Sequence, residues 1–306
     1  MSNKIINQKV NNVNFQLREA VDLSFLSAIG EVFSVFDQND SGNISFGVKN
    51  KHGKKYFVKI AGLQTCSMEI DKVTSIQILK DSVEKYHELI DDQLINLIDA
   101  FPQGELFVAV FDWFEGDCLF DHWNFDFYDA NPEIISPNEK FRQLSKEQKI
   151  TFLNKILTFL EKVDNKEYAA IDFYDSSIIY NFVTNDFKVC DIDLFQKMPT
   201  YNEVGQNFWG TKRMKSPEEY ILNKPIDSRT NVFKTGAFFM NLFGRFTADQ
   251  YSKMYNCNEF VPVDFANFSL SYDLYLLLLK SVSADPKDRY QSVSELRKEW
   301  IKIQES

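Results

Sequence analysis

The sequence has 306 residues, of which 44% are apolar, and it carries a formal net charge of −10 with an isoelectric point near 5.0. This acidic balance argues against binding to a nucleic-acid backbone or to an anionic membrane surface, because both are negatively charged. The length fits one large domain or two lobes, and the 29 phenylalanines predict a core dominated by aromatic packing.

The four cysteines, at positions 66, 118, 190 and 257, are widely spaced and form no CxxC pair. They indicate neither a zinc site nor a disulfide framework, and they favour a reducing compartment. Residues 1–15 are polar and lack the apolar segment of a signal peptide, and the apolar run Leu274–Leu279 is too short to cross a bilayer. We expect a cytoplasmic protein with neither a nucleic-acid nor a membrane partner.

The first third of the sequence has the pattern of an antiparallel sheet with one helix. Residues 25–36, 43–50 and 54–62 are rich in Val, Ile and Phe, and turn-forming residues separate them. A helix is predicted from about Lys72 to Ile90, where apolar residues recur at three- and four-residue spacing. Two further strands are predicted around Leu94–Ala100 and Leu106–Phe111. Five strands and one helix predict a small α+β lobe.

Beyond Glu115 and Gly116 the pattern becomes mainly helical. Residues 145–163 predict a long amphipathic helix, and the segment from Asp227 onward is mostly helical. Short β-branched segments occur at 177–183 and 187–190. Residues 121–138 are rich in aromatic residues, Pro and Asn, and they predict an irregular loop.

Seven segments resemble motifs of the protein-kinase superfamily and follow one another in the order of that family. They cover the strand that carries the phosphate-binding lysine, the hinge, the catalytic loop, the metal-binding turn, the end of the activation segment, the buried helix and the Asp-Pro-x-x-Arg motif. In this sequence they read YFVKIAG, AVFDWFEGDCL, AIDFYDSSIIY, FKVCDIDLF, GTKRMKSPEEY, NVFKTGAFFMNLFG and ADPKDR.

The resemblance implies the two-lobed protein-kinase fold, with ATP and Mg²⁺ as cofactors. Residues 1–111 would form the small antiparallel-sheet lobe with its helix, and residues 112–306 the larger, mostly helical lobe of the same domain. Lys59 would hold the α- and β-phosphates, Asp172 would orient the acceptor hydroxyl, and Asp191 would bind Mg²⁺.

The same resemblance assigns supporting residues. Asp193 and Ser177 would assist Asp191 with the metal, and Glu218 and Arg289 would form a buried pair that anchors the activation segment. Phe111 would be the gatekeeper. The backbone groups expected to contact the nucleotide belong to Asp112 and Phe114 at the adenine edge and to Ser41, Gly42 and Asn43 at the phosphates.

Several motif positions depart from the family pattern. The glycine-rich turn keeps only Gly42, and the acidic Asp37 and Asp40 beside it would oppose phosphates. The helix glutamate that should pair with Lys59 is not fixed by the pattern, because the alignment places Ser82 there. Glu84 is the nearest glutamate and is favoured as the partner, whereas Glu69 lies earlier.

The catalytic loop also departs from the family. Ala170 and Ile171 replace His-Arg, so control through an arginine and a phosphorylated loop is not expected. Tyr174 replaces a lysine, Ser177 replaces the metal-binding asparagine, and Asn231 replaces an aspartate that braces the loop.

The leading hypothesis is an ATP- and Mg²⁺-dependent phosphotransferase that resembles a compact bacterial serine/threonine protein kinase and acts on a protein substrate. One alternative is a small-molecule kinase of the aminoglycoside or choline type, whose acceptor is a small hydroxylated molecule. The other alternative is a catalytically impaired pseudokinase that binds nucleotide or acts as a scaffold.

Overall fold

The computed structural model describes residues 5–37, 41–66 and 70–305, except for the side chain of His122. Asp40 and Glu69, which were considered above, therefore lie outside the described residues. The chain forms two compact units. Unit 1 comprises the described residues up to Ile90 together with Leu94–Phe114, and unit 2 comprises Asp91–Gln93 and the described residues from Glu115 onward.

Unit 1 is built on a five-stranded antiparallel sheet with the order β3-β4-β5-β7-β6. Its elements in chain order are β1 (Ile6–Val10), β2 (Val13–Leu17), α1 (Leu26–Ile29), β3 (Glu31–Phe36), β4 (Asn43–Lys49), β5 (Lys55–Ala61), α2 (Lys72–Glu88), β6 (Leu97–Gln103) and β7 (Leu106–Asp112). The expected α+β class, with a small antiparallel sheet followed by a helical region, is confirmed.

Three details of unit 1 differ from the sequence prediction. Residues 25–36 do not form one strand, because the α1 turn precedes Gly30 and the strand starts at Glu31. A Cβ on Gly30 would lie 2.3 Å from the carbonyl oxygen of Lys49, so glycine is required for this close backbone approach. The fourth predicted strand is also shifted, since β6 begins only at Leu97, and the hairpin β1–β2 was not predicted at all.

The β1–β2 hairpin and α1 cover one face of the sheet. Phe15 and Leu17 of the hairpin and Leu26 of α1 are buried in one core with Phe46 and Val58. The rings of Phe15 and Phe46 pack edge to face, with their centroids 5.4 Å apart. The hairpin therefore belongs to the core of unit 1.

Unit 2 is mainly helical, and helix α6 lies in its interior. Its helices are α3 (Phe125–Ala130), α4 (Pro137–Arg142), α5 (Lys146–Asn165), α6 (Ser228–Phe243), α7 (Ala248–Cys257), α8 (Tyr272–Ser281) and α9 (Val293–Glu305). Its short strands are β8 (Asp117–Cys118), β9 (Tyr168–Ala169), β10 (Ile178–Asn181), β11 (Asp186–Val189), β12 (Gln196–Lys197), β13 (Thr200–Tyr201) and β14 (Pro225–Ile226). Every residue of α6 from Thr230 to Phe243 is buried.

The irregular loop predicted over residues 121–138 is wrong, because α3 and the start of α4 lie within it. Helix α4 begins where Ser136 accepts a hydrogen bond from the Glu139 amide and Pro137 occupies the first helical position, and these are standard helix-start residues. In the part of the chain that the structure describes, no helix is both long and apolar enough to span a membrane.

Candidate functional site

One face of the unit 1 sheet carries Lys59 together with buried polar side chains. In β5, Lys59 lies opposite Ser45 of β4 and Ala109 of β7, and directly opposed residues share a sheet face. Asn43 is two residues from Ser45 and therefore points to the same side. Asn43 and Ser45 are only 2% exposed, and Oδ1 of Asn43 has no hydrogen-bond partner among the described residues.

The turn before Asn43 is described from Ser41 onward, and this part contains a left-handed glycine. Gly42 has φ +71°, a left-handed conformation that glycine adopts without steric cost. Asp37, whose charge would oppose phosphates, has a partner in the β1–β2 hairpin, because Oδ2 of Asp37 accepts a hydrogen bond of 3.3 Å from the Gln16 amide. That contact directs the Asp37 carboxylate toward the β1–β2 hairpin.

Farther along the same strands the sheet carries aromatic rings. The centroids of Phe36 and Phe57 are 5.6 Å apart, and those of Phe33 and Trp113 are 5.0 Å apart. Nζ of Lys55 lies 5.5 Å from the ring centroid of Phe33 and 5.7 Å from that of Trp113. The face therefore changes from polar near Asn43 to aromatic near Trp113.

Helix α2 carries Glu84 on its exposed side, and the pairing of Glu84 with Lys59 stays a prediction. Ser82 is 1% exposed on the buried side of α2, and Glu84 follows two residues, or about 200°, later on the exposed side. The buried side also carries Tyr86, whose ring lies 4.9 Å from the ring of Phe111. Phe111 is 2% exposed and thus packs against α2.

The residues expected at the adenine edge lie at the end of unit 1. The Asp112 amide donates a 3.0 Å hydrogen bond to the Asn96 carbonyl, and the Asp112 carboxylate pairs with Lys54 at 2.9 Å. Phe114 and Ser41 are half-buried. The nucleotide contacts assigned to these residues stay predictions.

In unit 2 the backbone and the carboxylate of Asp172 are both constrained. Asp172 has φ +58°, a strained value for any residue except glycine, and such strain concentrates at functional sites. Oδ1 of Asp172 accepts a 3.0 Å hydrogen bond from the Thr211 amide. Asn231 of α6 braces the loop, because its amide bonds to both the Ala170 N–H and the Tyr168 carbonyl at 2.8 Å.

The charges of Asp172 and Asp191 both act on Tyr174. Burial raises the pKa of Tyr174, and the negative charges of Asp172 and Asp191 raise it further. Asp191 directly follows Cys190, whose amide donates a 2.8 Å hydrogen bond to the Ser177 carbonyl. This bond joins the catalytic-loop segment to the segment that carries Asp191.

The candidate metal residues differ in exposure. Asp191 is exposed and Asp193 is 5% exposed, and Ser177 is fully buried with Oγ 3.5 Å from the Tyr174 amide. Among the described residues, no group of three or more His, Cys, Asp or Glu side chains is arranged as a metal site.

Asp175 forms a buried ion pair that the sequence did not predict. Arg213 binds both of its carboxylate oxygens, at 2.8 and 3.2 Å, and Asn241 of α6 contacts Arg213 and Asp175 at 2.8 Å each. Burial alone would lower the pKa of Arg213, but the Asp175 charge raises it above its usual value. Arg213 lies in the segment GTKRMKSPEEY, but the family pattern assigns it no partner, so only the folded structure could reveal this contact.

Two further buried pairs hold the segment around Ser216. Arg289 binds both carboxylate oxygens of Glu218, at 2.7 and 2.9 Å, so these two predicted residues come together. Burial opposes the charge of Glu218, yet hydrogen bonds from Arg289 lower its pKa. The second pair, Glu219 with Lys234 of α6 at 2.7 Å, was not predicted, and Glu219 also accepts hydrogen bonds from the amide and hydroxyl of Ser216.

Lys215 is a buried cation in the same segment. Its side chain is 3% exposed, and Nζ donates hydrogen bonds to the carbonyls of Gln206 and Phe208. The Tyr220 ring lies below it, with 4.5 Å between Nζ and the ring centroid. Burial lowers the pKa of Lys215 to about 8.

No protein-family model matches the sequence. No curated protein matches it with significant similarity. The resemblance to protein kinases therefore rests on the residues described above.

Proposed function

We propose that this chain is an ATP- and Mg²⁺-dependent phosphotransferase of the protein-kinase superfamily, with units 1 and 2 as its two lobes. The observation that carries the proposal is the constrained Asp172 of unit 2, which has a left-handed backbone and a carboxylate held by the Thr211 amide. In the proposal, Asp172 and Asp191 supply the two carboxylates that phosphoryl transfer needs.

Side chains on the unit 1 sheet support the proposal that the chain binds a nucleotide. Phosphoryl groups require a fixed cation and backbone or amide donors, and one sheet face offers Lys59, Ser45 and Asn43 next to the Gly42 turn. The oxygen of the buried Asn43 amide lacks a partner within the described residues, so it is an acceptor that a hydroxyl or N–H donor of a nucleotide could bind.

The donor set also fits Mg²⁺. This ion is usually held by one or two carboxylates together with substrate phosphates, and Asp191 and Asp193 provide two carboxylates. When bound, the ion would neutralise charge that develops on the transferred phosphoryl group.

In the proposed reaction each protein group has one task. Lys59 holds the α- and β-phosphates. Asp172 orients the acceptor hydroxyl and accepts its proton late in the transfer. The Thr211 amide keeps the Asp172 carboxylate in place, and Asn231 fixes the backbone of its loop.

A protein acceptor is favoured over a small molecule because of the segment at Glu218. Small-molecule kinases of the aminoglycoside or choline type usually lack the Ala-Pro-Glu segment. Here Ser216 and Glu218 stand in that motif, and buried bonds to Glu219 and Arg289 anchor them.

The test is a transfer assay with radiolabelled γ-phosphate. One arm offers a casein-like protein and the other offers hydroxylated small molecules such as aminoglycosides and choline. We expect label in the protein arm. Label in the small-molecule arm alone would support the alternative acceptor class, and no label in either arm would reject the proposed function.

One observation favours a second candidate, a scaffold protein without catalysis. In the Val-Ala-x-Lys motif a small alanine lies two residues before the lysine, whereas this chain has Phe57 there with Phe36 beside it. A large ring at this position reduces the space for an adenine base.

Thermal unfolding with ATP and Mg²⁺ separates the two candidates. A ligand that binds only the folded state raises Tm, so the phosphotransferase requires a shift at millimolar nucleotide. An unchanged Tm would favour the scaffold.

A further inference from the structure

Arg213 is the centre of a buried link between two segments of unit 2. It is 3% exposed and binds both oxygens of Asp175. Its guanidinium carbon lies 4.0 Å from the ring centroid of Phe120, and Asn241 binds Arg213 and Asp175 together. A guanidinium held by a carboxylate, an amide and a ring has little freedom to move.

Because Asp175 lies on the same loop as Asp172, the Arg213–Asp175 pair also restrains Asp172. The two aspartates are three residues apart on one loop, and their partners Thr211 and Arg213 are two residues apart on the other segment. The Thr211–Asp172 bond and the Arg213–Asp175 pair therefore tie the same two stretches of chain at two points. One contact alone would allow the loop to pivot, whereas two contacts fix its orientation.

The Arg213–Asp175 pair is buried, so it differs from a surface ion pair that could be lost with little effect. Asp175 is fully buried, and a buried carboxylate is stable as an ion only with strong partners. Without Arg213 the buried Asp175 carboxylate would keep its hydrogen bond from Asn241 but lose its cation, so the loop would have to rearrange.

We propose that Arg213 is a positioning residue for phosphoryl transfer, which acts through Asp175 to hold Asp172 in its productive orientation. This inference rests on the proposed function. The link consists of protein side chains alone, so the loop is ordered without a phosphorylated residue.

The test compares transfer kinetics and Tm in wild type, Arg213→Met, Arg213→Lys and the double variant Arg213→Met/Asp175→Asn. Arg213→Met is expected to lower kcat about 100-fold with KM for ATP within about twofold, because a displacement of about 1 Å has an effect of that size. Arg213→Lys should recover part of kcat. The double variant removes both buried charges and should recover Tm while kcat stays low.

Trp300→Phe is the control for a general loss of stability, since Trp300 is fully buried and its Nε1 donates a 2.7 Å hydrogen bond to Asn154, outside the 170–177 and 210–220 segments. It should lower Tm and leave kcat within about twofold. Full recovery of kcat in the double variant, or a loss of kcat in Trp300→Phe equal to that in Arg213→Met, would overturn the positioning role.

Hydrogen exchange tests the link without relying on catalysis. Residues 170–177 should exchange faster in Arg213→Lys than in wild type, and unchanged exchange would overturn the inference. A wild type that transfers no phosphate but shows this difference would reject the proposed function alone. Phosphatase treatment of wild type should leave kcat unchanged. A large loss of kcat would contradict the inference that the loop is ordered without a phosphorylated residue.

Discussion

At the scale of single residues, Lys59 and Asp172 are placed by different kinds of structure. Lys59 is fixed by strand pairing on both sides, with Ser45 and Ala109 opposite it. Asp172 sits on a loop in a strained conformation and depends on Thr211 and Asn231 from distant parts of the chain. Substitutions at the lysine therefore test ligand binding with little risk to the backbone.

Lys59→Met is expected to weaken ATP binding by about tenfold to a hundredfold, the worth of one hydrogen bond to a charged group. The measurement is the Tm shift over an ATP titration with Mg²⁺. Lys51→Met, an exposed lysine in the β4–β5 turn, is the control and should titrate like wild type. Equal titrations for the two variants would contradict the assignment of Lys59.

The buried Lys215 predicts a pH dependence of stability. Below about pH 8 the lysine is charged in the folded and the unfolded chain, so its burial disfavours the folded state fully. From about pH 8 up to its ordinary pKa of 10.5 the unfolded chain binds the proton more than the folded chain does. Stability therefore rises with pH in that window.

Lys215→Met has no titratable group at this position, so comparison with wild type isolates the contribution of Lys215. The unfolding free energy of wild type minus that of Lys215→Met should increase between pH 7 and pH 10, as measured by urea denaturation at each pH. A difference that stays constant or decreases over this range would show that the Lys215 pKa is not lowered.

At the scale of elements, the β1–β2 hairpin is held in unit 1 by three kinds of contact. Phe15 packs on Phe46, and the Arg18 amide and guanidinium bind the carbonyls of Gln64 and Cys66. Glu19 pairs with Lys72 in the first turn of α2. These contacts connect the hairpin to both the sheet and the helix.

Phe15→Ala is expected to destabilise the protein by about 3–5 kcal/mol, the usual effect of removing a buried aromatic ring. Phe127→Ala removes a ring that is 49% exposed and should change stability much less. Chemical denaturation measures both. A small effect at Phe15 would mean that the hairpin does not contribute to the core.

The pair Glu218–Arg289 anchors the segment before α6. Glu218→Gln leaves a buried arginine without its carboxylate and should cost about 3–5 kcal/mol. Asp249→Asn disrupts the exposed Lys253–Asp249 pair and should cost under about 1 kcal/mol. Equal losses of unfolding free energy in the two variants would contradict the structural role of the buried pair.

The sequence predicted those elements whose own pattern is strong. Strands β4, β5 and β7 and helices α2 and α5 were predicted because their apolar residues repeat with the period of a strand or a helix. The β1–β2 hairpin was missed because its strands are short and largely polar. The helices within residues 121–138 were missed because the aromatic, Pro- and Asn-rich composition suggested a loop. The helix-capping residue Ser136 was not recognised.

The same limit applies to the candidate site. Glu218 and Arg289 could be predicted because each belongs to a motif with a known order. The pair of Arg213 and Asp175 could not, since the family pattern gives neither position a role, although both residues lie within motif segments. The assignment of Glu84 is sensitive to the register of α2, because a shift of two residues moves a side chain to the opposite side of a helix.

At the scale of the whole molecule, the proposed reaction draws on both compact units. Unit 1 supplies the cation and the polar sheet face, and unit 2 supplies the two aspartates. The structural anchors of the kinase pattern are retained more fully than its chemical residues, since the helix glutamate and the glycine-rich turn are altered. Activity is therefore the decisive property to measure.

The most direct measurement is the initial rate of γ-phosphate transfer from ATP to a casein-like protein with Mg²⁺, in wild type, Asp172→Asn and Asp129→Asn. Asp129 is an exposed aspartate of α3 and serves as the matched control. The account predicts a rate reduced about 10²- to 10⁴-fold in Asp172→Asn and an unchanged rate in Asp129→Asn. Full activity in Asp172→Asn, or no transfer by wild type, would contradict it.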